Sequence, residues 1–326
     1  MAQPSGLATQ HVATAWQALV TDNPTDNIFD EYSELKRMES GKAFMRKTGG
    51  RSLIGSIEYL ANSTVESISP STVLNTDPVD VFDETEANWK QYAGTFQMTS
   101  FEEAINRGDA AKFDLEKGKL KNLRQSMRDT LNAHIFGATA SATDLSGYQS
   151  LIPDTATTGT VQTINRATAA YAFWRTQQTS GAQTTSAYDN LRASMRTIRT
   201  ACAKGMGVKY PERYVTGPTT SNGYESLLIA NERIAEKSDS AANAAFSGNA
   251  YKFGMADVFW DDDCADTRMY ALNNEDLKMA YQSGFWFKGY PSVNPANQLL
   301  NVFKVETQCQ LFLTISRHLG VITSIS

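Results

Sequence analysis

Apolar and polar positions change period several times along the chain. In the first segment, Met1 to Lys47, Trp16, Leu19 and Val20 fall at helical spacing until Asn23-Pro24 breaks them. Phe29, Tyr32, Leu35 and Met38 then set single apolar anchors in a polar stretch. The segment reads as an arm of the kind that packs on a neighbouring subunit. From Thr48 to Thr99, Gly49-Gly50 opens a run holding Leu53, Ile57, Tyr59, Val65 and Ile68, and a return run holds Tyr92, Phe96 and Met98. The pattern predicts two long strands joined by a tip. A lone hairpin cannot bury both its faces, so its support is expected from another protein surface.

From Ser100 to Phe136 the period becomes helical. Leu120, Leu123, Met127 and Leu131 form one stripe, Ser100 and Glu103 have capping-box spacing, and Gly137 supplies a stop. Gly108 and Gly118 each weaken a helix by about 1 kcal/mol relative to alanine, which predicts a bend or a start only after Gly118. The small, polar stretches 138–160 and 176–185 read as loops around the aromatic segment Val161 to Arg175. A second amphipathic helix from Ser186 to about Lys204 carries Leu191, Met195, Ile198 and Cys202 on one face and Arg192, Arg196 and Arg199 on another, before Gly205 and Gly207. Arg213 to Thr216 reads as a strand and Gly217-Pro218 as a turn. Thr219 or Thr220 caps a third helix holding Tyr224, Leu227, Leu228 and Ile234. Beyond a polar loop at 237–249, strand-like runs at Tyr251 to Trp260, Arg268 to Leu272, Val302 to Cys309 and Leu311 to Ile315 make the last third mainly β. The fold class is α+β.

Composition narrows the function. With 326 residues, 41% of them hydrophobic and 20% charged, the chain has the make-up of a globular protein with one large domain or two modest ones. No apolar run approaches the roughly 20 residues that cross a bilayer, so no membrane partner is expected. The polar start, Met1 to Gln10, does not read as a secretory signal. A net charge of −5 argues against a dedicated nucleic-acid binder and leaves only weak, nonspecific contact with DNA. Cys202, Cys264 and Cys309 are too far apart for a zinc site or a disulfide framework and are expected as reduced, packed thiols.

Two charged regions stand out. Asp77, Asp80, Asp83, Glu84 and Glu86 surround Pro78, and no lysine or arginine occurs between Arg51 and Lys90. These acids are assigned to the hairpin tip. The stretch 112–128 holds Lys112, Lys117, Lys119, Lys121, Arg124 and Arg128 against Asp114 and Glu116. Opposite charges on separate parts of one chain can set the register between copies; the plainer reading is two solvated surfaces.

The remaining candidates offer no catalytic, metal or cofactor site. Asp257, Asp261, Asp262, Asp263 and Asp266 lack the spacing of an EF-hand and read as a solvated loop or a subunit contact. His11, His134 and His318 accompany no nucleophile motif, and His134 suits the C-terminal end of a helix. Gly205, Gly207 and Gly217 form neither a P-loop nor a dinucleotide fingerprint. Phe285, Trp286, Phe287 and Tyr290 fit core or interface packing better than a stacking surface for sugars or bases.

The order of parts, an arm, an acidic hairpin, a long helix and an α/β region followed by returning strands, resembles the major capsid proteins of tailed bacteriophages, the Hong Kong 97-type fold. Residues 147–153 (GYQSLIP), Ile164-Asn165-Arg166 and Trp174-Arg175 are similar to a stretch found in some of these coat proteins. The resemblance implies an N-terminal arm at 1–47 and an E-loop at 48–99. A P-domain at 100–185 and 285–326 follows, with its spine helix at about 100–137, and an A-domain at 186–284. It implies a non-enzymatic subunit that assembles as hexamers and pentamers into an icosahedral head around double-stranded DNA, located in the virion and assembled in the host cytoplasm. Expected partners are other copies, a separate scaffolding protein, a portal and a decoration protein. The hairpin has no lysine away from Lys90 at its base, so a lysine cross-link of the kind formed by one such coat protein is not implied. Alternatives are an encapsulin-like compartment shell and an α/β hydrolytic enzyme, the latter prompted by helix and strand alternation at 186–236.

Overall fold

The computed structural model describes residues 33–40, 43–70, 73–105, 115–139, 141–182, 188, 190–203, 209–232, 246–247 and 250–325. The helix expected at Trp16 to Val20, the Asn23-Pro24 break, Phe29, Tyr32, His11, Gly108, Lys112, Asp114, Gly205, Gly207, Ile234 and most of the loop 237–249 lie outside them.

In chain order the elements are α1 (Ser33–Ser40), β1 (Phe44–Lys47), β2 (Ser52–Glu58), β3 (Phe82–Asn88), β4 (Lys90–Thr99), α2 (Ser100–Ile105), α3 (Leu115–Phe136) and α4 (Tyr148–Leu151). There follow β5 (Thr160–Val161), β6 (Ile164–Asn165), a 3-10 segment at Ala169–Trp174, β7 (Gln177–Ser180), α5 (Leu191–Cys202), β8 (Arg213–Thr216) and α6 (Pro218–Glu232). The chain closes with β9 (Phe246–Ser247), β10 (Ala250–Phe253), β11 (Ala256–Trp260), β12 (Met269–Leu272), β13 (Leu277–Gln282), β14 (Lys288–Val293), β15 (Leu300–Leu313) and β16 (Gly320–Thr323).

Two compact units emerge. Among the described residues the smaller contains Gln91–Thr130 and Gly284–Gln308, and the larger contains 33–90, Leu131–Ser283 and Cys309 onward; α3 and β15 have residues in both.

In the smaller unit β15 pairs with both β4 and β14, and Phe96 stacks on Phe303 at 4.6 Å. The apolar stripe of α3 lies so close to β4 that a Cβ at Gly94 would stand 2.7 Å from Leu123. The capping box sits one residue earlier than the sequence suggests. The Glu102 N–H donates to Thr99 Oγ1 (3.2 Å) and the Thr99 N–H to the Glu102 carboxylate (3.0 Å). Helix α3 begins at Leu115, so Gly118 lies in its first turn rather than before its start.

The larger unit is built on a seven-stranded sheet of order β7-β16-β12-β8-β11-β10-β9. Every residue of β8 and β12 is buried, as expected for central strands covered on both faces. Leu191, Met195, Ile198 and Cys202 of α5 form one face of the core against Tyr214, Val258, Met269 and Ile322, so the predicted stripe is the buried one. In the same unit β1 runs parallel to β13, which pairs antiparallel with the end of β15.

Several readings change here. Residues 177–180 are not loop but strand β7, parallel to β16; its polar composition suits an edge strand, where one side needs no apolar partner. The runs at 302–309 and 311–315 merge into β15, because the polar interruption, Gln310, is a buried side chain bonded to Ser146 (3.0 and 3.2 Å). Helix α6 starts at Pro218. Thr219 is not its cap: the Thr219 N–H and hydroxyl both donate to Asp266, 47 residues away, at 2.8 and 2.7 Å.

The return strand of the hairpin is β3, not the run at Tyr92 to Met98. It pairs with β2 in the register Leu53↔Ala87 and Ser56↔Glu84. An acidic strand hides its alternation from a hydrophobicity reading, because its inward residues, Asp83, Thr85 and Ala87, are small or polar. The base of the hairpin lies on its own unit: Leu53 and Ala87 join Ala280 and Phe312 in a buried cluster. This corrects the expectation that support must come from outside.

The segment at 147–175 owes its texture to one buried cation. The Arg166 guanidinium donates to the carbonyls of Leu151 (2.7 Å) and Trp174 (3.1 Å) and to Ser316 Oγ (2.9 Å). Burial pushes its pKa down to about 10, which leaves it charged at neutral pH. Arg166→Ala removes the donors to three buried acceptors, and the midpoint of chemical denaturation is expected to report a loss of about 3–5 kcal/mol. A Cβ at Gly55 would stand 2.8 Å from the Phe312 ring, so Gly55→Val is expected to cost about 1–3 kcal/mol in the same measurement.

Candidate functional site

Only two of the five hairpin acids lie in the connection between β2 and β3. Asp77 and Asp80 are there, whereas Asp83, Glu84 and Glu86 belong to β3, which corrects their assignment to a tip. Alternation then separates them further. Asp83 faces inward and bonds the Tyr171 hydroxyl, whose pKa it raises through its charge. Glu84 and Glu86 face outward, opposite Ser56 and Ile54, with Glu58 on the same face opposite Phe82. The outer face is therefore a ladder of carboxylates around two exposed apolar residues, Ile54 and Phe82. Beyond it the connection exposes Leu60, Val65, Ile68, Val73 and Leu74, with Val65 at 83% and Val73 at 90%.

In the smaller unit, Lys117, Lys121, Arg124 and Arg128 follow an i, i+4, i+7, i+11 spacing on α3 and so share one stripe. Lys119 does not belong to it. Its ammonium is held by Glu102 (3.0 Å) and the Gln97 carbonyl (3.1 Å). The Arg128 guanidinium lies 5.2 Å over the Phe287 ring.

The larger unit also contains a buried polar cluster that no sequence motif announces. Glu34 of α1 is fully buried, forms an ion pair with Arg213 of β8 at 2.9 Å and accepts a hydrogen bond from the Tyr148 hydroxyl at 2.5 Å. The Glu34 N–H donates to Asp261 Oδ2 (2.9 Å) and the Leu35 N–H to Asn132 Oδ1 (3.2 Å), so the first turn of α1 is capped by residues remote in sequence. Asn132 Nδ2 donates to Asp261 Oδ1 (2.8 Å) and Asp263 Oδ2 (2.7 Å). The one available signal was the density of aspartates at 257–266, which reads as surface because no partner is visible along the chain.

That aspartate stretch is thus not a plain solvated loop. Asp261 is buried, Asp263 binds Asn132, Asp266 caps α6, and Asp257 lies 3.8 Å from Arg37. Among the described residues no group of three or more His, Cys, Asp or Glu side chains is placed to hold a metal ion. His134 is in the last turn of α3, and His318 is buried with Nδ1 2.7 Å from Asp276. Phe287 is buried and packs edge-on against Trp286, within the same unit as Phe285 and Tyr290, which flank the Lys288 ammonium. All three cysteines are buried and unpaired; burial pushes Cys202 and Cys309 up to about 12 and Cys264 well above its usual range. No helix among the described residues is long and apolar enough to cross a membrane.

By sequence, no protein-family model and no curated protein matches the chain. Its structure is similar to known ones over almost its whole length. A subunit of the cyanophage A-1(L) capsid aligns with a TM-score of 0.70 at 17% identity, covering 94% of this chain and 96% of that one. A capsid subunit of the Myoviridae phage XM1 aligns at 0.60 and 10% identity, covering 93% and 95%. The SrpI encapsulin of Synechococcus elongatus aligns at 0.57 and 10%, covering 96% and 95%. The α+β architecture described above is the Hong Kong 97-type fold that these shell-forming subunits share.

Proposed function

We propose that this chain is the major capsid protein of a tailed bacteriophage, a coat subunit that assembles as hexamers and pentamers into an icosahedral head around double-stranded DNA. The observation that carries the reading is the end-to-end likeness to a phage capsid subunit, which covers 94% of this chain and 96% of that one. In this reading residues 1–47 are the arm, 48–99 the E-loop, 100–185 with 285–326 the P-domain and 186–284 the A-domain. The subunit is not an enzyme, and its place is the virion, after assembly in the host cytoplasm.

The exposed side chains give this reading its physics. A connection that shows water five large apolar residues is an unfavourable surface for a lone monomer, and a closed symmetric assembly covers the same patch on every copy. Charge then sets register. Successive outward residues of β3 are about 6.6 Å apart, and residues four apart on α3 rise about 6 Å. Glu84 and Glu86 of one copy therefore suit the stripe of Lys117, Lys121, Arg124 and Arg128 on the next. A separate scaffolding protein, a portal and a decoration protein complete the expected partners, with weak phosphate contact from the same basic stripe. A compartment shell of the encapsulin kind is the second reading, favoured by the likeness to SrpI and distinguished by its content.

Expression alone and with neighbouring genes, followed by negative-stain electron microscopy and light scattering, tests the proposal. Closed shells, capsomers or sheets are expected; a stable monomer under both conditions contradicts it, and shells that enclose protein cargo in place of DNA support the encapsulin reading. The double variant Glu84→Lys/Glu86→Lys is expected to lower assembly yield about tenfold, with partial recovery on mixing with Lys121→Glu/Arg124→Glu subunits. Unchanged yield removes the charge pairing without touching the shell reading.

A further inference from the structure

We propose that the turn Gln162-Thr163 is a strained clasp that locks the base of the β2–β3 hairpin to the end of β15, and that it opens as one piece to free the hairpin. Every contact involved lies within the larger unit, so the inference stands apart from the shell reading.

The backbone supplies the first observation. Val161 pairs with Ile164, which leaves only Gln162 and Thr163 between β5 and β6, and both have positive φ, 50° and 71°. That is the geometry of a type I′ hairpin turn, where glycine, asparagine and aspartate predominate. Neither residue here is one of them. Thr163 is moreover β-branched, the kind of side chain that resists the left-handed region most. Local preference does not select this conformation, so its surroundings must hold it.

Those surroundings are two segments remote in sequence. The Gln162 side-chain amide, oriented by the groups it faces, accepts from the Leu313 N–H (2.7 Å) and donates to the Leu313 carbonyl (3.0 Å). The Gln162 carbonyl accepts from the Glu86 N–H of β3 (3.3 Å) and from the Thr163 hydroxyl. One residue thus ties β15 with its side chain and the hairpin with its main chain. Phe312, just before Leu313, shares a buried cluster with Leu53 and Ala87 of the hairpin, and Tyr171, nine residues beyond Gln162, meets Tyr59 at 6.5 Å and bonds Asp83. A cavity of about 470 Å³ borders the turn, lined among others by Glu86, Asn88, Lys90, Gln162 and Thr163, which gives the turn space to relax into. The strain sets the direction: once the bonds to Leu313 break, nothing holds the two residues left-handed, and the carbonyl that binds Glu86 moves with them.

The experiment is hydrogen exchange of the full chain with single-amide resolution, followed at Glu86 and Leu313 with Tyr214 of β8 as reference. Gln162→Ala deletes only the bonds to Leu313, yet the clasp predicts that Glu86, whose acceptor is an unchanged main-chain carbonyl, loses protection as well. A loss of about tenfold is expected at both amides, with Tyr214 constant. Thr163→Gly removes the strain and is expected to raise protection at both by about fivefold. Loss confined to Leu313, an equal loss at Tyr214, or no gain in Thr163→Gly overturns the clasp. Should Gln162→Ala fail to fold, Gln162→Glu serves in its place. It keeps the acceptor for the Leu313 N–H and lacks the donor, so a smaller loss is expected at both amides, and an unchanged Glu86 overturns the proposal.

Discussion

A guanidinium at the head of a central, covered strand cannot remain charged without an acceptor, and much of the N-terminal architecture follows from that need. Arg213 opens β8, whose four residues are all buried, and its acceptor is Glu34, 2.9 Å away on a helix that precedes it by more than half the described chain. Once Glu34 is fixed, the rest of α1 has little freedom. Leu35 and Met38 are fully buried, and the free N–H groups of the first turn must find Asp261 and Asn132. Asp261 follows β11, which runs parallel to β8 with Asp257 opposite Arg213, so the cation and the capping carboxylate stand at opposite ends of the strand pair, and Glu34 meets the first with its side chain and the second with its N–H.

Arg166 obeys the same rule with a different solution. Its acceptors are two main-chain carbonyls, 8 and 15 positions away, and the hydroxyl of Ser316, 150 positions away. Both arginines tie down segments that also bury large apolar side chains, Leu35 and Met38 in α1, Tyr148 and Leu151 in α4 and Trp174 in the 3-10 segment, so the buried charges fix the orientation of elements that apolar burial already holds.

Local pattern revealed most of the elements and few of their partners. The stripe of α5 and the body of α3 were legible because apolar residues recur on one face, and the strand Arg213 to Thr216, buried on both faces, was legible from Tyr214 and Val215 ahead of the Gly217-Pro218 turn. Strand β3 was not, since it presents acids outward and Thr85 and Ala87 inward, a contrast too weak for a hydrophobicity reading. The caps of α1 and α6 were invisible for another reason: Asp261 and Asp266 act on residues 227 and 47 positions away. Of the candidate site, the acids and bases themselves were legible, but not that Asp83 turns inward to Tyr171 or that Lys119 is taken by Glu102. Those outcomes depend on pairing and packing, which spacing along the chain does not encode.

The three interior thiols carry a consequence for the covalent life of the protein. With Cys202, Cys264 and Cys309 all sequestered and held far from the thiolate form, no thiol is presented to an oxidant, an alkylating agent or a neighbouring copy. Its cysteines keep one chemical form in a reducing cell and in open air. An assembly made from it gains no disulfide cross-links on ageing and needs no reductant to come apart.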